Sequence, residues 1–253
     1  MTRKKIAVLS AILMFVCVGI FSIYKSTYKE EFNYVALGDS LAAGRNPYGV
    51  DDYGYNDYLK DYLKNENKLE SYVSYAVSGY TILDVSNDIN YNRIVNVDNK
   101  NIGIKKALRE SDIVTISIGA NDFLSRFNLT NISSDLSDIN NTKSILDSIL
   151  TDIDKLFKLI KQYAKKDIIV VGYYNPVPNM DKYKASIDNI IKYIDEAYNE
   201  LCAKHNIYYV QISHKIKENN EYLPNPLDIH LSKEGYEIIS KEIIKLIKTK
   251  VFN

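Results

Sequence analysis

Five short runs of β-branched and aromatic residues recur along this chain, separated by stretches with helical spacing. The runs are Tyr34–Leu37, Tyr72–Val77, Ile113–Ile118, Ile168–Gly172 and Ile207–Ile212. Near-continuous apolar strands are typical of a parallel sheet that is covered on both faces, and the intervening helices supply that cover. The pattern therefore predicts an α/β fold, a three-layer α/β/α sandwich built on one five-stranded parallel sheet.

Three of the intervening stretches have the apolar spacing of amphipathic helices. They run from Ile145 to Tyr163, from Ile187 to Leu201 and from Tyr236 to Ile247. Ser232 lies just before the last of them and is predicted as its N-cap. No repeat or interdomain linker interrupts residues 29–253, which we predict to form one domain.

The N-terminal segment has a different character. Arg3, Lys4 and Lys5 precede a run from Ile6 to Tyr24 without any charged residue. As a helix this run would measure roughly 28 Å, about the thickness of a bilayer core. Because basic residues favour the cytoplasmic side, the rest of the chain is predicted to lie outside the cytoplasm.

Residues 1–28 are therefore predicted to be a membrane anchor or signal segment. In the first case the domain of residues 29–253 is held at the cell membrane, with its site outside the cytoplasm. In the second case the segment is cleaved and the domain is secreted. The sequence leaves both alternatives open.

Charge and cysteine content exclude several classes of protein. Residues 29–253 carry 28 basic and 32 acidic side chains, a net charge of −4, so a nucleic-acid partner is not predicted. The cysteines are Cys17 and Cys202, and the first lies in the apolar run, so no disulfide is predicted within the domain. No residues have metal-ligand spacing and no phosphate-binding glycine motif follows a strand, so neither a metal nor a cofactor is predicted.

Glycine and polar residues follow each predicted strand. Ligands of a parallel sheet bind beyond the carboxyl ends of its strands, so these residues are expected to share one edge. They are Gly38-Asp39-Ser40, Ser78-Gly79-Tyr80, Gly119-Ala120-Asn121-Asp122, Tyr173-Tyr174-Asn175-Pro176 and, before the last helix, residues 225–236.

This edge contains the groups that acyl transfer requires. A serine hydroxyl becomes a useful nucleophile when a base removes its proton and donors stabilise the oxyanion. Ser40 is the candidate nucleophile and His230 the candidate base, whereas His205 and His214 are predicted to have surface roles. Gly79 offers a backbone N–H and Asn121 an amide N–H to an oxyanion.

Asp39 and Asp122 stand beside the same turns. Short acidic side chains at such positions usually accept hydrogen bonds from nearby backbone N–H groups. We therefore predict a structural role for both and no catalytic one.

The order of these motifs resembles the GDSL/SGNH hydrolase family, and most of all its bacterial, N-terminally anchored lipase- or acylhydrolase-like branch. The residues that carry the resemblance are Gly38-Asp39-Ser40-Leu41, Gly79, Gly119-Ala120-Asn121-Asp122, Asp228 and His230. The resemblance implies a flavodoxin-like fold and hydrolysis of an acyl ester or thioester, either a small molecule or a lipid. It implies that Ser40 is the nucleophile and His230 the base. The oxyanion hole would comprise the Ser40 N–H, the Gly79 N–H and the Asn121 side chain.

One position departs from the family pattern. The family usually has an aspartate three residues before the histidine, where this chain has Leu227, whereas Asp228 lies two before it. Asp228 reaches the His230 ring if the turn is tight and is then the third member of a catalytic triad. Otherwise a backbone carbonyl near Leu227 orients the ring. We favour the carboxylate.

The substrate stays open between acyl lipids, lysophospholipids, acyl thioesters and O-acetylated cell-wall sugars. One alternative is therefore an O-acetyl esterase acting on cell-wall polysaccharide. Another is a non-catalytic ligand-binding domain of the same fold, which an assay with a simple ester would separate from an enzyme. Residues 46–56 and 124–143 are predicted to flank the site as mobile polar loops.

Overall fold

A computed structural model describes residues 31–126, 139–176, 181–216 and 221–252. Five strands form one parallel sheet. The strands of the described residues are β1 (Phe32–Gly38), β2 (Leu69–Ser74), β3 (Ile94–Val97), β4 (Lys100–Gly103), β5 (Ile113–Ser117), β6 (Asp167–Val171) and β7 (Tyr208–Val210). The sheet has the order β2-β1-β5-β6-β7, and β3 pairs with β4 in an antiparallel hairpin. The predicted α/β class with a five-stranded parallel sheet is confirmed.

Helices cover both faces of this sheet. Within the described residues they are α1 (Ser40–Ala43), α2 (Tyr55–Asn65), α3 (Ile82–Asn90), α4 (Ile104–Glu110), α5 (Ala120–Arg126), α6 (Ile139–Tyr163), α7 (Asp181–Lys204), α8 (Ser213–Ile216) and α9 (Lys233–Lys250). Helices α3, α4, α6 and α7 pack in one core and α2, α8 and α9 in the other. The molecule is thus the predicted three-layer sandwich.

The central strand β1 contributes to both cores. Val35 and Leu37 pack on one side of the sheet, and Tyr34 and Ala36 pack on the other. Successive side chains of a strand point to opposite faces, so a continuous apolar run suits a strand that is buried on both.

The second strand ends earlier than the sequence indicated. Its regular part is Leu69–Ser74 rather than Tyr72–Val77. The N–H groups of Tyr75 and Val77 still donate to the carbonyls of Ala36 and Gly38, at 2.8 and 3.0 Å. The pairing with β1 therefore continues, irregularly, up to the turn that contains Gly79.

The three predicted amphipathic helices are present as α6, α7 and α9, and each extends beyond its apolar stripe. The Ser232 hydroxyl accepts a hydrogen bond from the Gly235 N–H at 3.3 Å, which confirms it as the N-cap of α9. The prediction of a surface role for His205 is wrong. That residue is buried, and its Nε2 lies 2.8 Å from an Asp154 carboxylate oxygen. His214 is exposed, as predicted.

None of the helices in the four described ranges is long and apolar enough to cross a membrane. Residues 1–28, which the sequence predicts to be an anchor or signal segment, lie outside the described residues. That assignment therefore stays a prediction.

Candidate active site

The turn between β1 and α1 carries Ser40. Gly38 has a φ of +125°, and a Cβ built on it would lie 2.0 Å from the Ser117 carbonyl oxygen. Only glycine allows β1 to end this close to β5. Asp39 then N-caps α1, accepting a hydrogen bond from the Leu41 N–H at 3.1 Å. The Ser40 hydroxyl is consequently presented at the carboxyl edge of the sheet.

Ser40, His230 and Asp228 form a continuous hydrogen-bonded row. His230 Nε2 lies 2.8 Å from Ser40 Oγ, and His230 Nδ1 lies 2.7 Å from an Asp228 carboxylate oxygen. A carboxylate only accepts hydrogen bonds, so Nδ1 carries the ring proton and Nε2 accepts from the serine hydroxyl. Of the two orienting groups that the sequence left open, the carboxylate is the one that contacts the ring.

A tight turn brings Asp228 within reach of His230. The Asp228 N–H donates to the Asn225 carbonyl at 3.1 Å, and the Leu227 N–H donates to the Asn225 side chain at 3.0 Å. The same Asp228 oxygen that contacts the ring also accepts the His230 backbone N–H, at 2.8 Å. Leu227 points outward from this turn and is 95% exposed.

The two candidate oxyanion segments are joined by a pair of hydrogen bonds. The Asn121 amide donates to the Tyr80 carbonyl at 2.9 Å, and Asp122 accepts from the Ile82 N–H at 3.0 Å. An amide nitrogen carries two hydrogens, so Asn121 retains one for another acceptor. Gly79 has a φ of +88°, with no atom within 4 Å of an added Cβ, so its backbone is open to an approaching ligand.

Asp39 and Asp122 are buried acids beside the site, and Asp39 is the more deeply buried of the two. Its Oδ1 accepts from the Ser117 hydroxyl at 3.0 Å as well as from the Leu41 N–H. Burial raises the pKa of this carboxyl to about 7. Burial also raises the pKa of Asp122, whose acceptor role joins segments forty residues apart rather than adjacent ones. Both acids therefore hold backbone turns together, although the sequence predicted only local contacts.

An apolar cavity of about 320 Å³ opens beside Ser40 and His230. It runs between α6 and α7 and under α5. Its apolar lining includes Phe123 and Leu124 from α5, Leu146, Ile149 and Leu150 from α6, and Ile187, Ile190, Ile191 and Ile194 from α7. The sequence did not reveal this cavity, because the same residues have the spacing of ordinary core stripes.

Two tyrosines of the cavity wall fix the turn before α5. The hydroxyls of Tyr173 and Tyr198 donate to the Ile118 carbonyl at 2.6 and 2.9 Å. They lie 3.1 Å from one another. Their polar atoms are thereby satisfied, which leaves an apolar surface facing the cavity. The turn that they hold leads through Gly119 to Asn121.

Residues 45–51, which follow α1 in the chain, form a small hairpin closed by a bridge between Arg45 and Asp51. The Asn46 N–H donates to the Val50 carbonyl at 2.8 Å, and the Gly49 N–H donates to the Asn46 carbonyl at 3.0 Å. Of the loop predicted at residues 46–56, residues 46–51 belong to this hairpin and Tyr55 already begins α2. The exposed apolar side chains of the hairpin are Tyr48 and Val50. Residues 127–138 of the other predicted loop lie outside the described residues.

Comparison with solved structures finds the same fold in lipases and esterases. A lipase from a goat rumen metagenome, Lip_vut3, matches with a TM-score of 0.67 and 20% identity, over 84% of this chain and 95% of that one. Phospholipase A1 from Streptomyces albidoflavus matches with a TM-score of 0.60 and 16% identity, over 86% of this chain and 98% of that one. A catalytic mutant of Axe2, an acetylxylan esterase from Geobacillus stearothermophilus, matches with a TM-score of 0.58 and 17% identity, over 86% of this chain and 95% of that one.

Sequence comparison identifies the family. A search among curated proteins found no match. The sequence model of the GDSL-like Lipase/Acylhydrolase family, however, matches residues 36–238. This range is well over half of the chain and includes all the residues of the hydrogen-bonded row. The chain therefore belongs to the GDSL-like lipase/acylhydrolase family of ester hydrolases.

Proposed function

We propose that the protein is a serine ester hydrolase that works through an acyl-enzyme, with Ser40 as nucleophile and His230 as base. The observation that carries this proposal is the unbroken row from Ser40 Oγ to the Asp228 carboxylate, with contacts of 2.8 and 2.7 Å. A non-catalytic binding domain would have no need of a serine, a base and an orienting acid in hydrogen-bond contact.

In the first half-reaction, Ser40 Oγ attacks the carbonyl carbon of the ester while its proton passes to His230 Nε2. Asp228 stabilises the resulting imidazolium, and the oxyanion is stabilised by the N–H groups of Ser40 and Gly79 and by the Asn121 amide. His230 then donates its proton to the departing alcohol or thiol. Water repeats the sequence on the acyl-enzyme, which releases the acid and restores the serine hydroxyl.

The cavity favours an ester with a longer acyl chain over an acetyl ester. Its lining is almost entirely apolar, which suits a hydrocarbon chain bound beside the reacting carbonyl. Its volume of about 320 Å³ lies at the lower end of the range of small-molecule pockets, which suits a hydrocarbon chain of medium length. Acetylated polysaccharide is the second candidate, because an acetylxylan esterase shares the fold.

A chain-length series tests the proposal. We expect the kcat/KM for p-nitrophenyl esters to rise from acetate to a maximum near the octanoyl or decanoyl ester, and acetylated xylan to be a poor substrate. Hydrolysis should be abolished in Ser40→Ala and His230→Ala but retained in His214→Ala, a matched control at an exposed histidine. Fluorophosphonate labelling that persists in Ser40→Ala would contradict the mechanism. A preference for acetylated xylan would support the second candidate.

A substitution in the cavity tests the acyl site directly. Leu150 lines the cavity from α6, so Leu150→Trp should fill part of the volume available to a chain. We expect decanoyl ester hydrolysis to fall at least tenfold while butyryl ester hydrolysis is retained. An equal loss for both esters would indicate damage to the fold instead.

We propose further that the enzyme acts outside the cytoplasm, held at the membrane by residues 1–28. The support is the uncharged run from Ile6 to Tyr24 behind three basic residues. Fractionation of cells that produce the full chain should find an intact form in membranes, with its domain accessible to external protease. Recovery of only a shortened form from the medium would instead indicate a cleaved signal segment.

A further inference from the structure

Three large apolar side chains are exposed on the segments that follow α1 and precede His230. Leu227 is 95% exposed, Tyr48 is 78% exposed and Val50 is 58% exposed. We call these three residues the apolar rim. Single exposed apolar residues are ordinary on a protein surface, but a group beside a functional site indicates a contact surface.

The rim is one connected structure. The Asn225 amide donates to the Pro47 carbonyl at 2.7 Å, which joins the segment carrying Leu227 to the hairpin carrying Tyr48 and Val50. The opposite side of the hairpin contacts the candidate oxyanion turn, where the Ser78 hydroxyl donates to Asp51 at 2.6 Å. The rim therefore lies between the two segments that present His230 and Gly79.

Charged groups around the rim pair with each other. Arg45 lies 3.5 Å from Asp51, and Lys233 lies 3.1 Å from Asp52. These four residues consequently add no net charge to the surroundings of the rim. Such a surface suits a partner without net charge and offers little attraction to a strongly acidic or basic one.

We propose that the apolar rim contacts the surface of a zwitterionic phospholipid aggregate, the form in which the substrate is presented. The inference rests on the proposed function, because an apolar cavity that takes an acyl chain implies an amphiphilic substrate. Such substrates collect in membranes and micelles rather than in free solution. A rim seated in the lipid surface lets the acyl chain pass towards the cavity with less exposure to water. The tyrosine also suits a lipid–water boundary, because its ring is apolar and its hydroxyl is polar.

Fluorescence provides a direct test, because the chain contains no tryptophan. A single L227W substitution in the full chain, with Ser40→Ala to prevent hydrolysis, would report from the rim alone. I94W is the matched control, since Ile94 is 61% exposed. It follows α3, whose nine residues extend about 13 Å away from the Gly79 turn.

With vesicles of brominated phosphatidylcholine, we expect the emission of L227W to shift to the blue and to be quenched. The I94W emission should change little. Absence of quenching in L227W would overturn the proposal. Equal quenching of both variants would overturn it as well, because the contact would then not be confined to the rim.

Kinetics give a second test with the active full chain. The triple variant Tyr48→Ser, Val50→Ser, Leu227→Ser should lose at least about tenfold of its activity on phosphatidylcholine vesicles. It should keep its activity on soluble p-nitrophenyl butyrate. The control variant Tyr91→Ser, Ile94→Ser removes two exposed apolar side chains outside the rim and should match the wild type on both substrates.

The outcomes separate this inference from the proposed function. A triple variant as active on vesicles as the wild type would overturn the role of the rim while leaving the hydrolase intact. If the wild type hydrolysed no ester, whether soluble or in vesicles, the proposed function itself would fail. The quenching experiment does not depend on that result, since it is made in the Ser40→Ala background.

Discussion

The Asp228 carboxylate accepts two hydrogen bonds from His230, one from the ring N–H at 2.7 Å and one from the backbone N–H at 2.8 Å. This geometry explains how an acid two positions before the histidine reaches the ring. The turn is closed by Asn225, whose carbonyl and side chain accept the N–H groups of Asp228 and Leu227. The position where the family usually has its aspartate is thereby left pointing into solvent.

Asp228→Asn should lower kcat roughly a thousandfold or more near neutral pH, because an amide favours the wrong imidazole tautomer. Steady-state kinetics on a soluble ester would measure the loss, with His230→Ala as the inactive reference. A loss below about tenfold would mean that another group orients the ring, despite the 2.7 Å contact between Asp228 and His230 Nδ1.

Asp39 makes stability depend on pH. Its pKa is about 7 in the folded protein and ordinary in the unfolded chain, so the folded state holds the proton more tightly. The stabilisation from this proton is fully present below about pH 4 and is lost as the pH rises towards 7. Asp39→Asn removes the titration but retains a carbonyl oxygen to accept from Leu41 and Ser117.

We therefore expect the free energy of unfolding of wild type, compared with Asp39→Asn, to fall between pH 4 and pH 7. The total change should be of the order of a few kcal/mol. Urea denaturation of both proteins across this range would measure the difference. Parallel pH profiles for the two proteins would show that Asp39 is already ionised at low pH in the folded state.

The site depends on where β1 and β5 end. Both strands stop at the carboxyl edge, and Gly38 ends β1 against the backbone of Ser117. Gly79 in the neighbouring turn also has a positive φ, but the space around it is open. The two glycines are therefore required for different reasons. Gly38 allows both a positive φ and the close approach of Ser117, whereas Gly79 allows only the positive φ.

Alanine at these two positions should have unequal effects. Gly38→Ala brings a Cβ 2.0 Å from a carbonyl oxygen, so we expect several kcal/mol of destabilisation or failure to fold. Gly79→Ala carries only the strain of a left-handed conformation, about 1–2 kcal/mol. Thermal unfolding of both variants would test this order. Equal stability would show that the β1 turn can move away from β5.

The sequence allowed the sheet, the main helices and the contacting residues Ser40, His230 and Asp228 to be predicted. Those features have their own signals, in apolar runs, helical spacing and short motifs. The β3–β4 hairpin was missed because its strands are short and largely exposed. The acceptor for Asn121 was missed because it is a backbone carbonyl, which any residue supplies. The cavity depends on the distance between two helices, and no local pattern encodes such a distance.

Two separate cores flank the five-stranded sheet, one on each face. Cys202 belongs to the core that includes α6 and α7, where it is 1% exposed and unpaired. Burial raises the pKa of its thiol to about 12. The reactive form of cysteine is the thiolate. The folded protein therefore protects Cys202 in two ways, because burial keeps reagents from the sulfur and keeps the thiol protonated.

Labelling of Cys202 should accordingly report opening of the molecule. In a Cys17→Ser background it is the sole thiol, and its reaction with a thiol reagent should be slow in the folded state. We expect the labelling rate to rise with urea in proportion to the unfolded fraction measured by circular dichroism. Fast labelling in native buffer would show that α7 opens without global unfolding.

The position of β1 has a mechanical consequence. It is the first strand of the described residues, yet it lies inside the sheet, with β2 on one side and β5 on the other. Phe32 at its start stacks on Phe252 near the end of the chain, with ring centroids 5.1 Å apart. A force applied through the N-terminus acts along this strand, so both hydrogen-bond ladders bear the load together in shear. If residues 1–28 hold the domain at the membrane, as we propose, it would resist a pulling force far better than a domain whose first strand could peel from an edge, one bond at a time.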